Sequence, residues 1–271
     1  MSDLPVEIRV EERIGYLTFN RPKQLNAFNH ALMEAATAGL KQLVADPAVL
    51  AIVVSGNGRA FSAGFDLKEA DAGAPRESLD DWRRILEYDY DFIIQFWDCP
   101  KPTVAAVQGY CLAGAFEVML ACDLTVAAEG SFFGEPEVRF GSGIVCMLLP
   151  WMTTPKLAKE LLLTGADRVT AKRMHEIGIV NRVVPDGEAL QAATALARDL
   201  AAAAPHSVRL TKQAINRSYE AMGLRSALKQ SLDQELMIEF GAGPERKEFN
   251  RIRQEQGLKA AIAWRDAKFA R

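Results

Sequence analysis

Residues 112–122 read LAGAFEVMLAC, an apolar run with a glutamate, Glu117, at its centre. An unpaired carboxylate in a segment otherwise fit for burial is costly, so Glu117 must be paired, protonated or put to use. Gly114, just upstream, places a small backbone unit where a helix should begin. Free N–H groups and the helix dipole favour a negative partner there. Glu137 follows Pro136 at the end of the strand-like 131–134 (SFFG). Two carboxyls beside an anion-stabilising backbone site are the equipment for proton transfer next to an enolate. The plain alternative is a pair of surface glutamates on amphipathic elements. It suits Glu137, with Glu135 and Arg139 nearby, better than Glu117, flanked by Phe116 and Val118.

The rest of the composition narrows the field. With 49% apolar and 25% charged residues, the 271-residue chain is of the ordinary soluble globular kind. It can hold a large domain with or without a smaller appendage. A net charge of −3 argues against nucleic acid or an anionic membrane as a whole-surface partner, and leaves room for a local basic pocket. Cys99, Cys111, Cys122 and Cys146 form no C-x-x-C pair and keep apolar company, as expected of buried free thiols in a reducing compartment. His30, His175 and His206 have no ligand spacing, so no metal site is expected. The start, MSDLPVEIRV, has no apolar signal core and no run reaches membrane length; the expected location is cytoplasmic.

Along the chain, 14–19 (IGYLTF) reads as a strand, and Leu32, Ala35, Ala36, Leu40 and Leu43 follow at helical spacing from about Asn29. The apolar run 50–54 (LAIVV) suits a strand covered on both faces. After a loop at 55–59, 61–67 leads into a short helix, and 71–77 reads as a mobile surface loop. Ser78 with Asp80 and Asp81 marks the start of a long helix closed by Pro100. Strand and helix signals alternate to about residue 184, the mark of α/β layering. Helical patterns alone follow, broken at 241–244, by a charged stretch to 255, and at Gly257. This divides the chain into an α/β core, 1–204, and a helical region, 205–271.

These residues also fall into an order. Asn20-Arg21-Pro22 with Leu25-Asn26-Ala27, then 61–67 (FSAGFDL), 101–110 (KPTVAAVQGY), 113–117 (AGAFE), Pro136-Glu137, Leu163-Thr164-Gly165 and 178–181 (GIVN) succeed one another. In this order the chain resembles the crotonase superfamily, the enoyl-CoA hydratase/isomerase fold, over nearly its whole length. The resemblance implies an α/β spiral of ββα turns with a C-terminal helical region used in trimer assembly, as a homotrimer or hexamer. It implies an oxyanion hole from the backbone N–H groups of Ala63 and Gly114. It also implies an acyl-CoA thioester as substrate, with coenzyme A as part of that substrate and no separate cofactor. CoA would lie along Lys23, Leu25 and Ala27 and along Ala63, Gly64, Phe65, Asp66 and Leu67. Lys23, Arg59, Lys68 and Lys101 are candidate phosphate partners, and Asp66 has a second reading as the cap of the following helix.

Members that hydrate an enoyl thioester carry glutamates at the positions of Glu117 and Glu137, so the resemblance favours addition or removal of water. Glu117 is then the expected water base and Glu137 the expected acid at the α carbon. Isomerisation, another acyl-CoA lyase or hydrolase reaction, or a non-catalytic relative are the alternatives within the fold. Residues 141–151 (GSGIVCMLLPW) depart from the pattern where the family's acyl pocket is bordered, and predict a branched, cyclic or aromatic acyl preference. Phe65, Ala113 and Ala115 stand at positions where other residues are common, and Glu135 adds a third carboxyl without an assigned role. A serine hydrolase is the rival outside the family, because 60–64 (AFSAG) imitates a nucleophile elbow around Ser62.

Overall fold

The computed structural model describes residues 4–68 and 76–270. The chain opens with an antiparallel hairpin, β1 (Val6–Glu11) and β2 (Ile14–Phe19), pairing Val6 with Phe19 and Glu11 with Ile14. Helix α1 (His30–Ala45) follows. The Asn29 side chain accepts the Leu32 N–H at 3.0 Å to cap it, and Leu32, Ala36, Leu40 and Leu43 form its buried face.

From here the path repeats: a strand in a large sheet, a short strand in a small sheet, a helix. The first turn is β3 (Ala51–Gly56), β4 (Ala60–Ser62) and α2 (Leu79–Trp97). The second is β5 (Thr103–Val107), β6 (Tyr110–Leu112) and α3 (Gly114–Ala121). The third, β7 (Leu124–Ala128) and β8 (Phe132–Gly134), passes into a 3-10 turn at Glu137–Phe140 before α4 (Leu149–Met152) and α5 (Pro155–Thr164). Next come β9 (Val169–Thr170), α6 (Ala171–Glu176) and β10 (Arg182–Val184). The large sheet runs β1-β2-β3-β5-β7-β10 and is parallel from β2 onward; the small sheet runs β4-β6-β8-β9. This is the expected spiral. Because β3, β5 and β7 are parallel, the links into the small sheet all leave from one edge of the large sheet, and the site forms there.

Packing explains why the spiral holds. Helix α2 starts at Ser78 as expected, and Ser78 and Asp81 form a capping box there. Its buried face brings Phe92 to Phe28 and Phe96, while Phe19 meets Phe28 and Phe61, all edge to face. Each such contact adds roughly 0.5–1.5 kcal/mol beyond area burial. On the other face of the large sheet lies α7 (Ala189–Ala202), burying Ala193 and Ala197 against Tyr16, Val53 and Val104. Of the expected surface loop 71–77, residues 71–75 lie outside the described residues, as does most of the short helix expected after residue 67.

Helices α8 (Pro205–Ala221), α9 (Leu224–Gly241), α10 (Pro244–Gln256) and α11 (Leu258–Ala267) complete the chain. The charged stretch to 255, expected as a break, is helical: α10 turns Arg246, Phe249 and Ile252 inward and its charges outward. On α9, Leu224, Leu228, Leu232 and Leu236 are buried in this chain's own main core, whereas Phe240 is exposed. That leucine face is occupied within the subunit.

Candidate active site

The start of α3 is set by Ala113, whose backbone (φ 58°, ψ −140°) lies where a residue with a side chain is strained. The Ala113 N–H donates to the Gly134 carbonyl at 2.8 Å. That bond lays the end of β8, and with it Glu135 and Glu137, beside the first turn of α3, where Glu117 sits. Glu117 and Glu135 are each 1% exposed and Glu137 is 9% exposed, so the surface reading of Glu137 is overturned. The 3-10 turn that begins at Glu137 turns it inward, away from the surface where Arg139 pairs with Asp167 at 3.1 Å.

Glu135 lies between the other two, within hydrogen-bonding range of both. The Leu148 N–H donates to Glu117 Oε2 at 2.9 Å. Among the described residues no donor reaches Glu117 Oε1, Glu137 Oε2 or either oxygen of Glu135, so protons shared within the group must serve. Burial raises all three carboxyls above their ordinary range. The Leu148 N–H and the Glu135 hydroxyl draw Glu117 part of the way back; Glu135 and the charge of Arg265 do the same for Glu137. Glu135 is raised by burial and by the charges of both neighbours, and holds its proton most firmly. The group can therefore offer an acid and a base at once.

The expected oxyanion donors need one correction. The Ala63 N–H donates to the Leu25 carbonyl at 3.0 Å, and the Gly64 N–H to Ser62 Oγ at 3.1 Å. Phe65, bridged to Phe28, uses neither neighbour's bond, and no acceptor meets its N–H among the described residues. The Gly114 N–H, first in α3, is free by helix geometry. A Cβ on Gly64 would stand 2.8 Å from the Leu112 carbonyl and 3.2 Å from Gly114 N, so glycine lets the two segments touch. The adjacent free donors are those of Phe65 and Gly114, not of Ala63. Residues 63 and 65 face the same way in extended chain, and the sequence does not say which one is already paired.

The two segments expected to hold CoA are stitched together. Arg21 donates to the Ala27 carbonyl and pairs with Asp66 at 3.0 Å, and Asp66 also takes the Lys68 N–H at 3.0 Å. Buried Asn26 accepts the Arg21 N–H and donates to the Asn57 and Ala60 carbonyls. The sequence names Asn26 only as part of a motif, and its part here is to shape the loop. The Leu67 carbonyl accepts from Arg253 of α10 at 2.8 Å. Lys23, Arg59 and Lys68 are exposed near this surface. Lys101 is not available: it precedes β5, at the opposite edge of the sheet, and its ammonium donates to the Leu43 and Asp46 carbonyls at 2.8 and 2.6 Å.

Ser62 is no nucleophile. It is fully buried, its hydroxyl donates to the Asn26 carbonyl at 2.8 Å, and His30, His175 and His206 are engaged elsewhere. The departing segment is irregular up to α4 and brings the Leu148 N–H to Glu117 while burying Ile144, Leu148 and Leu149. Among the described residues, no group of three His, Cys, Asp or Glu is placed to hold a metal ion. A second buried acidic group escaped the sequence reading: Glu235 and Glu239 of α9, with Arg246 of α10 at 2.8 Å from Glu239. Its signal was present, since positions 235 and 239 share a helix face with Leu228, Leu232 and Leu236.

Comparison with known proteins agrees with this geometry. A family profile described as enoyl-CoA hydratase/isomerase matches residues 9–262. The chain is 36% identical over 215 residues to a probable mitochondrial enoyl-CoA hydratase of Dictyostelium discoideum, covering 77% of this chain and 74% of that one. It is 36% identical over 225 residues to a putative enoyl-CoA hydratase of Thermus thermophilus, covering 82% and 88%. Among solved structures, an enoyl-CoA hydratase/isomerase from Xanthobacter autotrophicus Py2 superposes with a TM-score of 0.95 at 45% identity, covering 98% of this chain and 99% of that one.

Proposed function

Since the chain belongs to the enoyl-CoA hydratase/isomerase family, we propose that it is an enoyl-CoA hydratase, adding water to or removing it from an acyl-CoA thioester. The observation that carries this reading is the burial of Glu117 and Glu137 together beside the free N–H groups of Phe65 and Gly114. The thioester oxygen accepts both N–H groups, which stabilise the charge that develops as water attacks the β carbon. Each donor of this kind is worth roughly 3–4 kcal/mol in other enzymes. Glu117, its charged form supported by the Leu148 N–H, takes the proton of the attacking water. Glu137 delivers a proton to the α carbon, and the enolate closes to the β-hydroxyacyl thioester. Glu135 stays protonated between them and keeps their two states distinct.

CoA lies along Leu25, Ala27 and residues 63–67, with Lys23, Arg59 and Lys68 as exposed partners for its phosphates. For assembly we propose a homotrimer or hexamer. The surface would include exposed Met237 and Phe240 of α9, since the leucine face is buried. Light scattering at micromolar concentration tests this, and a monomer would refute it. Four free, buried thiols support a reducing compartment, the cytoplasm. The assay that tests the reaction pairs crotonyl-CoA with a thioester whose double bond is shifted one carbon along. Loss of enoyl absorbance from crotonyl-CoA is expected. Migration of the shifted double bond with crotonyl-CoA untouched would make the enzyme an isomerase.

A further inference from the structure

Taking the hydratase reading as given, we propose that the acyl side of the site takes an acyl chain bearing a neutral hydroxyl group, received by Glu235. Helix α2 packs against both α3, which carries Glu117, and α9, which carries Glu235 and Glu239. Residues 141–148 join the same two helices from the other side. At one end the Ser142 N–H donates to the Glu137 carbonyl at 3.0 Å, and at the other the Leu148 N–H donates to Glu117. At the first of these ends the Ser142 hydroxyl also donates to Glu239, and Gly143 lies against Glu235. A Cβ on Gly143 would stand 1.7 Å from Glu235 Oε2, so a larger residue there would push that carboxyl aside. With the thioester oxygen at Phe65 and Gly114 and the β carbon at Glu117 and Glu137, the remaining acyl chain continues along residues 142–143 toward Glu235.

A wall made for a saturated chain would be apolar. Here Glu235 is 3% exposed, and its Oε2 has no donor among the described residues. Glu239 is different, being satisfied by Arg246 and Ser142. Asp89 of α2 faces the same group and is opposed by Arg76. Burial, reinforced by the charges of Glu239 and Glu137, pushes the Glu235 carboxyl up to about 9, so it is protonated at neutral pH. It then offers one O–H donor and one acceptor oxygen. Arg246 Nη1, buried in the same group, also meets no acceptor among the described residues; a hydroxyl, which both donates and accepts, can serve it and the neutral Glu235 together, whereas an ammonium cannot.

The test uses enoyl-CoA thioesters of stepped chain length, each with and without a hydroxyl at the chain end, alongside carboxylate and ammonium analogues. The same comparison is made by calorimetric binding of the saturated, unreactive thioesters. Sites built to hydrogen-bond a hydroxyl reject analogues lacking it strongly, so at one chain length kcat/KM should favour the hydroxylated member by roughly tenfold or more. Glu235→Leu should reverse that preference. The wild-type comparison stands even if this variant does not fold. Equal or better use of every unsubstituted chain, in turnover and in binding, overturns the proposal, as does tightest binding of a charged analogue. Preferred binding of the hydroxylated thioesters without hydration of any member would sink the hydratase reading and leave this one standing.

Discussion

Two groups of buried acids are tied to residues 141–148, one through Leu148 and the other through Ser142, and they are satisfied in different ways. In the first, Glu117, Glu135 and Glu137 face one another, and among the described residues no donor reaches Glu117 Oε1, Glu137 Oε2 or either oxygen of Glu135. In the second, Glu239 has an arginine and a serine hydroxyl, and among the described residues Glu235 Oε2 and Arg246 Nη1 are left unmatched. A buried carboxyl without compensation is unstable unless it keeps a proton, and a proton so held can be passed on. Three such groups sharing protons make a reactive centre; one beside an ion pair makes a recognition point. The two groups therefore divide the work: proton transfer in the first, reading of the acyl chain in the second.

Substitutions should separate those roles. Glu117→Gln and Glu137→Gln are each expected to lower kcat by roughly 10²–10⁴, the range of general acid–base contributions. Affinity for a saturated acyl-CoA, measured by calorimetry, should change little. The double variant should be barely worse than either single one, because the pair acts as a unit. Near-wild-type turnover by either would remove that residue from the mechanism.

Next in size is stability against pH at Glu235. Its folded-state pKa lies above the ordinary 4.5, at about 9, so between those values the folded chain holds a proton that the unfolded chain has released. Stability contributed by Glu235 thus falls as pH rises through that window. Glu235→Gln should be more stable than wild type at about pH 9, on the order of a few kcal/mol, and nearly equal to it at about pH 4. Denaturant midpoints across that range check this; a constant difference would mean that Glu235 does not titrate as its burial requires.

A smaller effect distinguishes Glu135 from its neighbours. Glu135→Leu removes a hydrogen bond that favours the charged forms of Glu117 and Glu137, so the pH–kcat profile should move toward alkaline pH by about one pH unit. Glu135→Gln keeps a donor and should hold the profile near wild type. An unmoved profile in the leucine variant would leave Glu135 as packing alone. Least of all, Ala113→Gly should relieve the positive-φ strain at the start of α3 and raise stability by about 1 kcal/mol, seen as a rise in Tm of a few degrees.

How far the sequence reaches depends on what each residue reports. Glu117 could be singled out because its neighbours are apolar, and α/β layering because strand and helix signals alternate locally; the ββα spiral itself was implied by the family resemblance. Capping at Asn29 and Ser78 was equally local. Contacts between distant segments were not legible. Which of Ala63 and Phe65 has the free N–H depends on where Leu25 lies across the loop. Lys101 read as a phosphate partner until the fold placed it beneath α1. Glu235 and Glu239 share the leucine face of α9, a signal the sequence carries, but their partners Ser142, Gly143 and Arg246 come from distant segments. Charge density misled at α10, where outward-facing residues masked an inward apolar stripe.

The central claim is that a water held between Glu117 and Glu137 becomes the β-hydroxyl of the product. Crotonyl-CoA incubated with the enzyme in oxygen-18 water, with mass analysis of the thioester, tests it most directly. The expected product carries a single labelled oxygen at the β carbon, with the label all but lost in Glu117→Gln and Glu137→Gln. Unlabelled thioester after exhaustive incubation of the wild type, or labelling by either variant as fast as by the wild type, would contradict the account.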